Sequence, residues 1–159
     1  MGRASALACV VLATLGACTF TASLSDQART AVADTVRIQA EAFVAALAAR
    51  DADKLAGLFT ADSDFVYVDQ GKMYPDRQAL RDAAAGFFGR LRTASGRWDR
   101  QHILVQGLGA AAFTGVLRAD IVDTLGQPQW TEGKVWTLIY ERRDGRWEII
   151  QAHETNARP

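Results

Sequence analysis

The sequence predicts an α+β domain in which three helices are followed by a meander of three or four antiparallel strands. Apolar residues recur at helical spacing through the first half of the body, and the period changes to that of strands from Trp98 onward. Glycine-containing turns separate the later segments, so neighbours in sequence are expected to pair as hairpins. We therefore expect the helices to pack on one face of a curved, mostly antiparallel sheet.

Three helices are predicted before the meander. Asp34 is placed as the N-cap of the first helix, whose apolar positions recur up to Arg50. Asp51 is placed as the cap of a short second helix. Asp76, directly after a proline, starts a third helix that runs to Leu91.

The strands are predicted from alternating or continuous apolar runs that end at turn residues. The first follows the second helix, and the other four form the meander; the predicted ranges are 65–68, 98–106, 111–124, 129–142 and 146–154.

The length and composition are those of a globular domain. The 159 residues suffice for a hydrophobic core without disulfides or metals, and 49% of them are hydrophobic. Eighteen basic and eighteen acidic residues cancel, so no net field favours nucleic acid. We expect no nucleic-acid partner.

The turn at Asp144-Gly145 predicts which residues lie opposite each other in the last hairpin. If these two residues form a type I′ turn, the opposite pairs are Trp136 and His153, Leu138 and Gln151, and Tyr140 and Ile149. A three-residue loop with a bulge would instead shift the pairing by one residue and turn Trp136 away from His153.

The first register predicts an aromatic pocket wall. Trp130 and Glu132 share the face of Trp136 by strand period, and an aromatic wall with a few polar groups is typical of small-molecule pockets. For two of the candidates, Tyr67 and Trp98, core packing is the alternative, and for Trp136 it is a dimer interface. The candidate lining residues are Tyr67, Trp98, Trp130, Trp136 and Gln151.

His153 and Glu132 are the candidate catalytic residues. His153 is the only histidine besides His102, and imidazole transfers protons near neutral pH. Glu132 or Asp120 is its candidate acid–base partner. A structural hydrogen bond is the alternative role for His153, and a position on the pocket rim is the alternative for Glu132.

No metal site or cofactor is expected. The two histidines lie on different predicted strands without metal-ligand spacing, and the glycine pair Gly107 and Gly109 joins two strands instead of opening a helix. The two cysteines, Cys9 and Cys18, both precede the predicted domain, which therefore lacks a thiol for a disulfide or a covalent mechanism.

The amino terminus predicts export and a lipid anchor. Residues 1–17 carry one basic residue and an apolar run that is too short to span a bilayer. The run ends at Leu15-Gly16-Ala17-Cys18, which resembles the bacterial lipobox. The resemblance implies acylation of Cys18, a flexible tether over 18–33 and, because Asp does not follow the cysteine, the periplasmic side of the outer membrane. A plain secretory signal is the alternative.

The predicted domain, residues 34–159, resembles the nuclear transport factor 2-like, or SnoaL-like, cone fold. The resemblance rests on the stretch Phe43–Asp62, the helix after Asp76 and the closing stretch Asp144–His153. It implies a cone-shaped pocket between the long helix and the concave sheet, and a homodimer through the outer sheet face. The family includes ketosteroid isomerase, polyketide cyclases, dehydratases and many pockets of no known chemistry.

The resemblance argues against ketosteroid isomerisation. An ungapped match places Phe43 where the isomerases carry a catalytic Tyr, and Val68 where they carry the catalytic Asp. Asp69 then comes one residue late, on the other face of the strand. A one-residue bulge would bring Asp69 back.

The sequence thus favours an envelope-tethered domain that binds a hydrophobic small molecule. The alternatives are an isomerase, dehydratase or cyclase that uses His153, and a dimerisation or docking domain for an envelope partner. A binder should keep its affinity after His153→Ala, whereas an enzyme should lose about 10²-fold in rate.

Overall fold

The computed structural model describes residues 24–129 and 133–157. Its helices are α1 (Asp26–Ala49), α2 (Ala52–Gly57) and α3 (Arg77–Phe88). Its strands are β1 (Val66–Asp69), β2 (Lys72–Tyr74), β3 (Leu91–Gly107), β4 (Ala110–Asp123), β5 (Lys134–Arg143) and β6 (Arg146–Asn156). The predicted α+β class is confirmed.

The six strands form one curved sheet in the order β2-β1-β6-β5-β4-β3. The last four strands are the predicted meander, and every neighbouring pair is antiparallel except β1 and β6, which are parallel. The short strand β2 was not predicted; it follows a turn in which Gln70 and Gly71 both have positive φ. The concave face of the sheet carries the core, with α1 packed across β3.

α1 begins eight residues before the predicted cap at Asp34. The Ser25 hydroxyl oxygen accepts a hydrogen bond from the backbone N–H of Ala28 at 3.2 Å and caps the helix. Val32 is the only large apolar residue in 26–33, which is why the helical period is weak there. These eight residues are helical and Val32 is buried, so the prediction that they form a flexible tether is wrong.

The predicted caps of α2 and α3 are confirmed. The Asp51 carboxylate accepts from the backbone N–H of Lys54 at 2.9 Å, and the Asp76 carboxylate accepts from that of Ala79 at 2.7 Å. The hydrogen bond from Lys54 lowers the pKa of Asp51, because it stabilises the charged form.

β3 begins at Leu91, seven residues before the predicted start of the strand at Trp98. The segment 91–97 pairs with the end of β4, from Leu91 opposite Asp123 to Arg97 opposite Arg118. It contains no alternation of large apolar and polar residues, so strand periodicity could not reveal it.

The hydroxyl of Tyr140 yields a stability prediction. Tyr140 is 1% exposed, its hydroxyl oxygen has no hydrogen-bond partner in the described part of the chain, and burial raises its pKa. Removal of an unpaired buried hydroxyl relieves a desolvation cost, so Tyr140→Phe should raise the free energy of unfolding by about 1 kcal/mol. Urea denaturation measures this, with Tyr67→Phe as the matched control because its hydroxyl is hydrogen-bonded. Equal losses in both variants would contradict the prediction.

Candidate ligand-binding cavity

A cavity of about 600 Å³ lies between the helices and the concave face of the sheet. The helices line it with apolar side chains, which include Phe43, Leu47, Leu55, Leu80, Phe87 and Phe88. The strands β1, β5 and β6 contribute a mixed aromatic and ionisable surface, consisting of Tyr67, Asp69, Lys134, Trp136, Glu154 and Asn156.

Three aromatic side chains, from strands β1, β2 and β5, form a continuous wall. Tyr67 stacks on Trp136 with an interplanar angle of 7° and ring centroids 5.9 Å apart. Tyr74 also contacts Tyr67, with ring centroids 4.9 Å apart. Phe43 of α1 meets Trp136 edge-on at 4.9 Å, so the wall joins the helix layer to the sheet.

Glu154 is the centre of a buried polar cluster. It is 4% exposed, its Oε2 accepts a hydrogen bond from the Tyr67 hydroxyl at 3.0 Å, and its Oε1 pairs with the Lys134 ammonium. Burial raises the pKa of Glu154, and the negative charge of Asp69 adds to the rise, while Lys134 and Tyr67 oppose it. Burial and the charge of Glu154 likewise raise the pKa of Tyr67.

Strand register explains why these side chains meet. Tyr67 and Asp69 are two residues apart on β1 and therefore point to the same face. Asp69 pairs in register with Glu154, which in turn pairs with Trp136, so one row of the sheet brings these three residues together. Lys134 lies two residues before Trp136 on the same face of β5.

The predicted register of the last hairpin is right near its turn and wrong beyond Tyr140. Tyr140 lies opposite Ile149 as predicted, but Ile139 lies opposite Gln151, so β6 carries one extra residue, Ile150. A bulge of this kind moves every later side chain to the other face of the sheet. No residue in the apolar run around Ile150 predicts this bulge.

The bulge removes the predicted catalytic histidine from the cavity. His153 lies opposite Thr137 and is exposed on the outer face of the sheet, and Gln151 is exposed as well. Trp136 lies opposite Glu154 instead. The predicted pocket positions of His153 and Gln151 are therefore wrong, and Glu154 occupies the place in the cavity that was expected for His153.

Asp69 is the second correction. The ungapped match placed it on the face of β1 away from the pocket, but Asp69 lines the cavity and Val68 lies opposite His153 on the outer face. The register between β1 and β6 is continuous from Val66 to Asp69, and the alternative in which Asp69 returns to the pocket face holds. An acidic group is therefore present in the cavity.

The remaining candidates divide into three groups. Tyr67 and Trp136 line the cavity as predicted. Trp98 belongs to the core, where its indole N–H donates to the Ala40 carbonyl at 2.7 Å, and Asp120 is exposed. Trp130, Glu132 and Cys18 lie outside the described residues.

Sequence reasoning missed Glu154 and Lys134. Lys134 shares the strand period of Trp136 and was detectable on that ground, whereas Glu154 was hidden by the bulge. Among the described residues, no group of three or more His, Cys, Asp or Glu side chains could hold a metal ion. No helix in 24–129 or 133–157 is both long enough and apolar enough to cross a membrane.

Comparisons with known proteins agree with this architecture. A family model described as a SnoaL-like domain matches residues 36–157. A proposed scytalone dehydratase from Novosphingobium aromaticivorans has a TM-score of 0.76 and 15% identity, with 84% of this chain and 89% of that chain covered. A nuclear transport factor 2-like superfamily protein from Salmonella enterica has a TM-score of 0.74 and 13% identity, with 82% and 94% covered.

A hexachlorocyclohexane dehydrochlorinase from Novosphingobium barchaimii is also similar. Its TM-score is 0.70 at 17% identity, and the match covers 84% of this chain and 92% of that chain. Among curated proteins, none matches the chain in sequence. At these identities, the structural likeness shows the fold alone.

Proposed function

The chain belongs to the SnoaL-like domain family, and from this premise we propose that its cavity binds a small, largely apolar organic molecule. The observation that carries the proposal is the cavity itself, with a volume of about 600 Å³ and aromatic walls. Small-molecule sites typically measure about 300–1,000 Å³ and combine apolar walls with a few placed polar groups.

The buried polar cluster supports the proposal. Lys134 and Glu154 form an ion pair that is largely removed from water, although an apolar pair would stabilise the fold at least as well. The pair lies on the cavity wall beside Tyr67 and Asp69. A polar end of this kind would orient a ligand whose apolar part rests against the apolar side chains of the helices.

Native mass spectrometry of the purified protein, before and after organic extraction, tests whether the cavity holds a ligand. We expect an additional mass that extraction removes and whose identity names the ligand class. Bare protein in both spectra, followed by no binding of small aromatic compounds in titration calorimetry, would contradict the proposal.

Acid–base catalysis is the second candidate function, and the carboxyl groups in the cavity favour it. Burial raises the pKa of Glu154, and a raised carboxyl pKa is typical of general acid–base residues. Asp69 lies beside it in register. Two structural relatives carry the names of a dehydratase and a dehydrochlorinase. We propose that any isomerisation or elimination here uses Asp69 or Glu154 as the proton acceptor.

The position of His153 predicts that its substitution has little effect. Because the side chain is exposed on the outer face of the sheet, His153→Ala should change ligand affinity, and any rate, by less than about twofold. Glu154→Gln is the contrasting variant, since it alters the cavity wall. Calorimetry with the extracted ligand checks both. A large loss of affinity or rate in His153→Ala would contradict this prediction and show that the histidine is part of the site.

We also propose that acylation of Cys18 tethers the domain to the periplasmic side of the outer membrane. The lipobox-like sequence supports this, and the folded domain begins soon afterwards, with Ser25 as the N-cap of α1. Cys18→Ser should therefore move the protein from the membrane fraction to the soluble fraction of a bacterial host. Unchanged fractionation would favour the plain secretory signal.

A homodimer through the outer sheet face is the corresponding proposal for assembly. The strands present partly exposed β-branched side chains there, among them Val66, Val68, Val135 and Ile139. Such a face suits a partner of the same kind. The molar mass in solution tests the proposal, since a monomer at all concentrations would contradict it.

A further inference from the structure

In the described part of the chain, Asp69 is a cavity carboxylate without an ion pair. Lys134 pairs with Glu154, and among the described residues no basic side chain lies within ion-pair distance of Asp69. One of its oxygens, Oδ1, is buried and has no hydrogen-bond partner in the described part of the chain. A buried acceptor without a donor is costly, so a ligand that supplies a donor here gains free energy.

Two other basic side chains lie near the cavity, and neither forms an ion pair with Asp69. Lys72 lies opposite Asp69 on β2, but its ammonium sits over the Tyr74 ring, 4.4 Å from the centroid. Arg90, which also lines the cavity, precedes β3, four strands away from β1 in the sheet order. Among the described residues, Asp69 is therefore left without a basic partner, next to the aromatic wall.

The aromatic wall beside Asp69 favours a cation. Tyr67, Tyr74 and Trp136 form a continuous row of rings, and the faces of such rings attract ammonium groups. The contact between Lys72 and Tyr74 shows this attraction within the protein itself. A carboxylate and aromatic ring faces together are the two features that recognise an organic ammonium.

We infer that the ligand is an amine with an apolar body, whose ammonium group pairs with Asp69 and contacts the aromatic wall. The inference rests on the proposed function and deepens it by naming the ligand class. An anionic ligand would meet repulsion from Asp69, and a neutral one would gain only a hydrogen bond.

Three probes with one ring system test the inference by titration calorimetry near neutral pH. They are 2-naphthylmethylamine, 2-naphthylmethanol and 2-naphthoate. The wild type should bind the amine at least about tenfold more tightly than the alcohol, and the carboxylate most weakly. Asp69→Asn should remove the preference for the amine, so that the amine and the alcohol bind with similar affinities.

Two further variants sharpen the test. Lys72→Met removes a competing ammonium from Tyr74 and should strengthen binding of the amine alone. Asp144→Asn removes the same charge as Asp69→Asn at the exposed hairpin turn, and should leave all three affinities unchanged. The affinity for the amine should fall in Asp69→Asn and rise in Lys72→Met. These opposite changes distinguish ligand recognition from damage to the fold.

The outcomes separate the inference from the proposed function. Equal affinities for amine and alcohol, or tightest binding of the carboxylate, would overturn the amine inference and leave the binding function standing. Binding of none of the three probes would overturn both.

Discussion

Replacement of Ala83 by tryptophan is expected to abolish ligand binding. Ala83 lies on α3, is partly buried and lines the cavity. The indole side chain would occupy space that the ligand needs, so we expect the affinity to fall by at least about 100-fold. Titration calorimetry with 2-naphthylmethylamine or the extracted ligand measures the change.

Ala85→Trp is the matched control, because Ala85 is exposed on the same helix two residues later. It makes the same substitution with the same change in helix propensity, outside the cavity. Ala85→Trp should bind like the wild type. Unchanged binding in both variants would place the ligand outside this cavity, and loss in both would indicate a damaged helix.

Lys134→Met should lower the free energy of unfolding by about 3 kcal/mol at neutral pH. The substitution leaves Glu154 buried without its ammonium partner, and an isolated buried charge is far more costly than the intact pair. Urea denaturation measures the loss. The double variant Lys134→Met/Glu154→Gln removes the stranded charge as well and should recover most of the stability.

The loss of stability caused by Lys134→Met should be greater at neutral pH than at acidic pH. Burial raises the pKa of Glu154 and Lys134 lowers it, so removal of Lys134 should raise it further. A carboxyl group whose pKa is higher in the folded state stabilises the fold below its unfolded pKa and loses that contribution as pH rises through the folded value. The destabilisation should therefore be smaller at about pH 4 than at about pH 7. An equal loss at both would contradict the charge argument.

The fold was predictable where side chains act locally. The aspartates at the starts of α2 and α3 bond the backbone three residues later, and that signal depends on no distant contact. The first helix shows the limit of such signals, because Asp34 suits a cap chemically but lies inside a helix that Ser25 begins. The packing of Val32 into the core, a tertiary effect, favours a helix start at Ser25 over one at Asp34.

The site was less predictable, because it depends on strand register. Tyr67 and Trp136 were found as aromatic residues of predicted strands, and both line the cavity. Glu154 faces the cavity and His153 does not, because β6 carries one extra residue, Ile150. No glycine or proline in the sequence indicates this bulge. For Asp69, the ungapped match gave the wrong face, since a displacement by one residue reverses the face of a strand.

The indole N–H signal of Trp136 offers the most direct measurement of whether the cavity binds a small organic molecule. This N–H is buried and without a partner in the described part of the chain, and its ring forms the cavity wall. In a nuclear magnetic resonance titration with small aromatic amines, we predict shifts of the Trp136 indole and the Tyr67 and Ala84 amides, absent from Ala83→Trp. Shifts confined to the outer face around His153, or no shifts, would contradict the account.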